Sequence, residues 1–195
     1  CMVNEMLGEV IKRKRPGGRI RIWSIPSSTG EEPYSIAIYL LERWPAIEDY
    51  EVEILSSDID TTVLAAAARG RYSARSVANL PKAYLGKYFD QTADNDWVIS
   101  RDLVSAVEFS RVNLTDPADT RRFRDIDLIF CRNLLIYFDD LSRRIAAEAM
   151  YEALNPGGFV CLGHSESMSR ISSLYSIRRF TDAMVYQKPL SRGTP

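Results

Sequence analysis

The feature that most constrains this chain is an alternation of short apolar runs with longer stretches of helical spacing, from Arg19 to Gln187. Arg19–Ser24 sets Ile20 and Ile22 on one side of an extended strand and Trp23 on the other. Glu31–Trp44 follows with Pro33, Ala37, Leu40, Leu41 and Trp44 at helical spacing. Pro33 suits a first helical turn, and Ser28 and Thr29, three residues ahead of Glu31 and Glu32, offer a capping box. The pattern repeats as a strand at Glu51–Ser56, an alanine-rich helix at Thr61–Arg69 and a strand at Asp127–Cys131. A helix over Leu141–Leu154 stops at Asn155-Pro156-Gly157-Gly158, and strands at Phe159–Leu162 and Ala183–Gln187 complete the set. Parallel strands need crossover connections, so this order predicts an α/β fold: a mostly parallel sheet with helices on both faces.

Two stretches depart from the rhythm. Residues 2–15 have loose helical spacing and run through Lys12-Arg13-Lys14-Arg15 into Pro16-Gly17-Gly18, which reads as a helix end and a turn, the basic run solvated. Between 71 and 112, Tyr84, Tyr88 and Phe89 precede a polar segment, Asp90–Asp96, and then Trp97-Val98-Ile99 and Val107-Glu108-Phe109. That segment predicts a helix followed by a small inserted antiparallel hairpin. The formal net charge of −1 argues against a surface built for nucleic acid, and no apolar run reaches membrane-spanning length. Cys131 and Cys161 lie in apolar runs, so with Cys1 they suggest core thiols in a reducing, cytoplasmic setting rather than a disulfide framework.

In an open α/β sheet, ligands bind beyond the carboxyl ends of the strands. Four segments fall at such ends. Ser27-Ser28-Thr29-Gly30-Glu31-Glu32-Pro33-Tyr34-Ser35 is a small-residue loop entering a helix whose first amides are free. Asp58-Ile59-Asp60 places a carboxylate where both hydroxyls of a ribose can be accepted. Asn113-Leu114 and Phe130-Cys131-Arg132-Asn133-Leu134-Leu135-Ile136-Tyr137-Phe138 deliver further groups to the same rim.

Trp23–Ser35, Ser57–Leu64, Phe130–Phe138 and Leu162-Gly163-His164-Ser165-Glu166 resemble the four blocks of the CheR-type chemotaxis receptor glutamate methyltransferases, over about residues 19–188. The resemblance implies a class I S-adenosylmethionine-dependent methyltransferase fold, Rossmann-like, with a small inserted antiparallel β subdomain at about 84–112. It implies the end of a preceding helical domain at 1–18, the catalytic domain at 19–188 and a tail at 189–195. S-adenosylmethionine would be the cofactor, S-adenosylhomocysteine the product, and receptor glutamates the acceptors, with no metal. Carried over, Ser28, Thr29, Gly30 and Glu31 would hold the methionine part, Asp58 and Ile59 the ribose side, and Asn113 and Leu114 would flank the adenine. Arg132, Asn133 and Leu134 would line the cofactor near the sulfonium, and Arg132 and Tyr137 would position the acceptor, Tyr137 as a pocket wall or simply a core aromatic.

Ile25-Pro26-Ser27 stands where the family usually has a smaller trio, and proline removes one amide donor. The hairpin loop Asp90–Asp96 has no glycine and three aspartates, which predicts a pentapeptide-independent member without a receptor tether. The expected partners are the cytoplasmic methylation helices of chemoreceptors, met by a monomer without membrane insertion. A glutamate acceptor, with a reference pKa of about 4.3, is already ionised at neutral pH, so no general base is expected. The alternatives are a methyltransferase-like binding module without turnover and a hydrolase using Cys131 with His164. A nicotinamide dehydrogenase is disfavoured because Gly-x-Gly-x-x-Gly is absent after the first strand.

Overall fold

The computed structural model describes residues 1–190. The described residues contain strands β1 (Arg19–Ser24), β2 (Glu51–Asp58), β3 (Arg71–Tyr72), β4 (Phe89–Gln91), β5 (Trp97–Ile99), β6 (Val107–Arg111), β7 (Ile126–Cys131), β8 (Leu154–Leu162), β9 (Ser176–Phe180) and β10 (Ala183–Gln187). Seven form one sheet in the order β6-β2-β1-β7-β8-β10-β9. β6, β2, β1, β7 and β8 pair in parallel, and β10 enters antiparallel between β8 and β9. Of the expected 189–195 tail, residues 191–195 lie outside the described residues.

The alternation read in β1 is realised as two cores. Ile20 and Ile22 face one cluster with Leu128, Phe159 and helix α1 (Glu31–Arg43), whereas Trp23 faces another with Ile129, Val160 and helix α3 (Asp140–Ala153). Trp23 stacks on Phe123 with ring centroids 4.2 Å apart and donates its indole N–H to Ser57. On the first face, the Tyr34 hydroxyl donates to the Ala67 carbonyl, which ties α1 to helix α2 (Thr61–Arg69).

Four local expectations change. Val107–Arg111 is not part of a hairpin: it pairs in parallel with β2 as an edge of the main sheet, and the small antiparallel sheet is β3-β5-β4. Asn113-Leu114 therefore follows a main-sheet strand. The capping box does not form, because Gly30 takes the N-cap position with φ 95° and no side chain caps α1. Asn155-Pro156-Gly157-Gly158 belongs to β8, where an irregularity against β7 absorbs the proline and glycines, and β9 is a strand that composition did not announce.

The amino-terminal segment, Met2–Leu7 and Gly8–Ile11, buries Val3, Met6, Leu7 and Val10 in the first core. The basic run is only partly solvated. Arg13 donates to the Gly157 carbonyl, and the Lys14 ammonium sits 2.8 Å from the buried Asp127 carboxylate. Asp127 also accepts the Arg21 backbone N–H and the Asn155 amide, so it closes the amino end of the sheet.

Candidate functional site

The chain leaves β1 toward β2 and β6, then returns past β1 to β7 and β8. Loops after β1 and β7 must therefore diverge, which opens a crevice at their carboxyl ends. The loop after β1 is anchored on both sides: Ile25 N–H donates to the Phe130 carbonyl of β7, and Ser27 N–H to the Ser57 carbonyl of β2. The Ile25–Pro26 peptide is cis. From β3, the Tyr72 hydroxyl donates to the Thr29 carbonyl at 2.9 Å. A Cβ at Gly30 would come within 2.9 Å of that hydroxyl, so both the positive φ and the close approach require glycine there.

Between the ends of β2, β6 and β7 lies a cleft of about 310 Å³. It brings together Asp58, Ile59, Asn113, Leu114 and Leu134, with Pro26 and Phe138 completing the wall. Asp58 is 8% exposed, and its two carboxylate oxygens accept the Ser28 and Asp60 backbone N–H groups at 2.9 and 3.0 Å. An ionised carboxylate has about four acceptor positions, so capacity for two further donors remains. Asn113 is held by Asp119, which accepts its N–H, while its carboxamide oxygen closes a turn on Thr115. Largely apolar walls with a single carboxylate suit a nucleoside, and the residues present fit S-adenosylmethionine.

On the other side of the β1 loop, Glu31, Glu32, Phe130 and Arg132 line a second, open cleft of about 560 Å³. Thr29 donates to the exposed Glu31 carboxylate at 2.6 Å. Glu32, expected in a capping box, instead accepts the Ser24 hydroxyl at 2.9 Å and faces the Arg132 guanidinium at 3.4 Å. Burial raises the Glu32 carboxyl above its usual range against the opposing pull of Ser24 and Arg132. Ser28 and Asn133 both take positive φ, 48° and 58°, where the two loops turn over the sheet.

The structure does not bring Tyr137 into either cleft. It is 79% exposed on the rim, so the core-aromatic reading is wrong. Cys131 is fully buried, and burial, with the Glu166 and Glu32 charges adding, pushes its thiol well above the usual range, which argues against the Cys131–His164 hydrolase reading.

A mostly parallel seven-stranded sheet with β10 antiparallel between β8 and β9, and a cleft at its switch point, define the class I methyltransferase fold. An rRNA methyltransferase from Streptomyces viridochromogenes shares it, with a TM-score of 0.55 over 96% of this chain and 83% of its own, at 10% identity. The chain belongs to the CheR methyltransferases, matching the family's SAM-binding domain over residues 2–184. It is 53% identical to chemotaxis protein methyltransferase 2 of Vibrio cholerae over 96% of its own length and 65% of that relative's. Chemotaxis protein methyltransferase 2 of Pseudomonas aeruginosa is 40% identical over 84% of this chain and 58% of its own length. The chain thus spans less than two thirds of either relative.

Proposed function

We propose that the protein to which this chain belongs transfers a methyl group from S-adenosylmethionine to glutamate side chains of chemotaxis receptors, forming methyl esters. The observation that carries this is the cleft at the switch point, in which Asp58, Ile59, Asn113, Leu114 and Leu134 converge. The names of the relatives, chemotaxis protein methyltransferases, support the acceptor. In this reading Asp58 accepts the ribose hydroxyls, Leu114 and Leu134 flank the adenine, and Ser28 to Glu31 face the methionine part. When bound, S-adenosylmethionine supplies an electrophilic methyl on a sulfonium. Arg132, 46% exposed, offers a cation toward which an acceptor carboxylate is drawn. Its pairing with Glu32 aims it, and the acceptor needs no base because it arrives ionised. What these residues contribute is orientation, for which about 7–11 kcal/mol is available.

The acceptors proposed are the cytoplasmic methylation helices, recognised directly rather than through a receptor tail. The small sheet has short edges, β3 of two residues and β4 of three, and so offers an extended peptide few backbone partners. Its loop closes on itself, with Thr92 N–H donating to the Asp96 carbonyl, and Arg71 pairs with Asp94 and Asp96, leaving Asp90 without that compensation.

Incubation of the protein with radiolabelled methyl donor and a receptor cytoplasmic fragment tests the reading. Label on the receptor that alkali releases as methanol is expected. Tight binding of S-adenosylhomocysteine with no transfer would leave a binding module instead. Saturable binding of the labelled receptor pentapeptide, lost on changing residues 90–99, would overturn the untethered part.

A further inference from the structure

The carboxylate of Glu166 sits below the rim, 8% exposed, and gathers four backbone amides. Gly163 N–H donates to it at 2.8 Å from its own loop. Asn133, Leu134 and Leu135 N–H donate at 2.8, 2.9 and 2.7 Å from the loop after β7. Three successive amides can point at one carboxylate only if the backbone curls around it, and Asn133 supplies the curl with φ 58°. The curled loop carries Arg132 toward Glu32 on one side and Leu134 into the nucleoside cleft on the other. Gly163 fits beneath it because a Cβ there would approach the Glu166 carboxylate to 2.8 Å and the Asn133 nitrogen to 3.0 Å.

We propose that Glu166 is a positioning residue for methyl-donor binding, a clasp that sets the Arg132–Leu135 loop from the neighbouring strand end. The role rests on the donor-binding reading of the cleft given above. Glu166 itself lies outside the lining of that cleft, so its effect on donor affinity passes through Leu134 and Arg132. An isosteric amide keeps one acceptor oxygen and turns its own N–H groups toward N–H donors, so Glu166→Gln opens the curl without removing volume.

The experiment compares the wild-type protein with Glu166→Gln, Gly163→Ala and Asp127→Asn. The last alters a still more deeply buried carboxylate at the opposite end of the sheet. Three readouts are taken: thermal stability, amide hydrogen exchange at 133–135 and 163, and calorimetric affinity for S-adenosylhomocysteine. Faster local exchange and affinity weaker by about tenfold or more are expected for Glu166→Gln and, to a lesser extent, Gly163→Ala. Asp127→Asn should lower stability while leaving affinity alone. Should Glu166→Gln fail to fold, Gly163→Ala perturbs the same cluster with the charge retained. Unchanged local exchange in a folded variant would overturn the clasp. Faster exchange with wild-type affinity would overturn the positioning role. A wild-type protein that does not bind the nucleoside would overturn the proposed function and the positioning role together, and exchange would still decide whether Glu166 holds the loop.

Discussion

The two ends of the parallel sheet each bury carboxylates, and they treat them differently. At the amino end, Asp127 is 2% exposed and is held by the Lys14 ammonium, the Arg21 backbone and the Asn155 amide. At the carboxyl end, Asp58 and Glu166, each 8% exposed, are held by backbone N–H groups, two and four respectively, and neither forms an ion pair among the described residues. A carboxylate locked by a cation fixes the packing of whole elements. One held by amides fixes the course of a loop, and Asp58 keeps acceptor capacity pointed into a cleft. The same side-chain chemistry thus closes one end of the sheet and equips the other.

The largest effect expected from this contrast is on stability. Lys14→Met leaves Asp127 buried without its cation and should cost about 3 kcal/mol in urea denaturation, with affinity for S-adenosylhomocysteine unchanged. A loss of affinity there would erase the distinction between the ends. Asp58→Ala should show the reverse, weakening S-adenosylhomocysteine by about 1.5–3 kcal/mol in calorimetry with a smaller change in folding. Asp60→Ala is the control. Its side chain accepts the Thr62 N–H to cap α2, so about 1 kcal/mol of stability should go while affinity changes less.

Gly30→Ala sharpens the comparison from the loop itself. The left-handed conformation and the nearby Tyr72 hydroxyl should cost about 1–2 kcal/mol, with affinity reduced as the Thr29 anchor shifts. The smallest effect is a pH dependence. Burial lets native Glu32 keep its proton to higher pH than the unfolded chain, whose reference value is 4.5. The native state therefore binds more protons in that window, and stability falls as pH rises from that value through the raised native one. Relative to Glu32→Gln, the wild type should lose stability as pH rises above about 4.5, measured by urea denaturation at each pH. A gain over that range would contradict the burial of Glu32.

Where a strand is buried on both faces, the sequence spoke clearly: β1 and β7 read as strands because Ile22 and Trp23, or Leu128 and Ile129, must each find a core. Edge strands were harder. β6 buries only Val107 and β9 buries no residue fully, so no local pattern says which strand lies alongside. Pro156 and Gly157 read only as a helix stop because the irregularity that absorbs them into β8 exists only against β7. At the candidate site, the convergence of Asp58, Ile59, Asn113, Leu114 and Leu134 in one cleft follows from their places at strand ends, which the sequence marks. Glu166 stood in a quoted block without a role, since three of its four partners are backbone amides 31 to 33 residues away, which no side-chain motif marks. Tyr137 fitted both a pocket wall and a core, and its exposure removes the core reading.

The amino-terminal segment has a consequence for the order in which the molecule assembles. Its contacts join residues distant in sequence: Met6 with Cys161 across 155 positions, Glu9 with Arg178 across 169, and Arg13 with Gly157 across 144. During synthesis Val3, Met6, Leu7 and Val10 therefore emerge well before the strands against which they pack. Contacts of such separation form late, since the intervening loop must close before they reward it. A nascent chain halted before β10 would keep that apolar stripe uncovered, open to a chaperone or to another stalled chain.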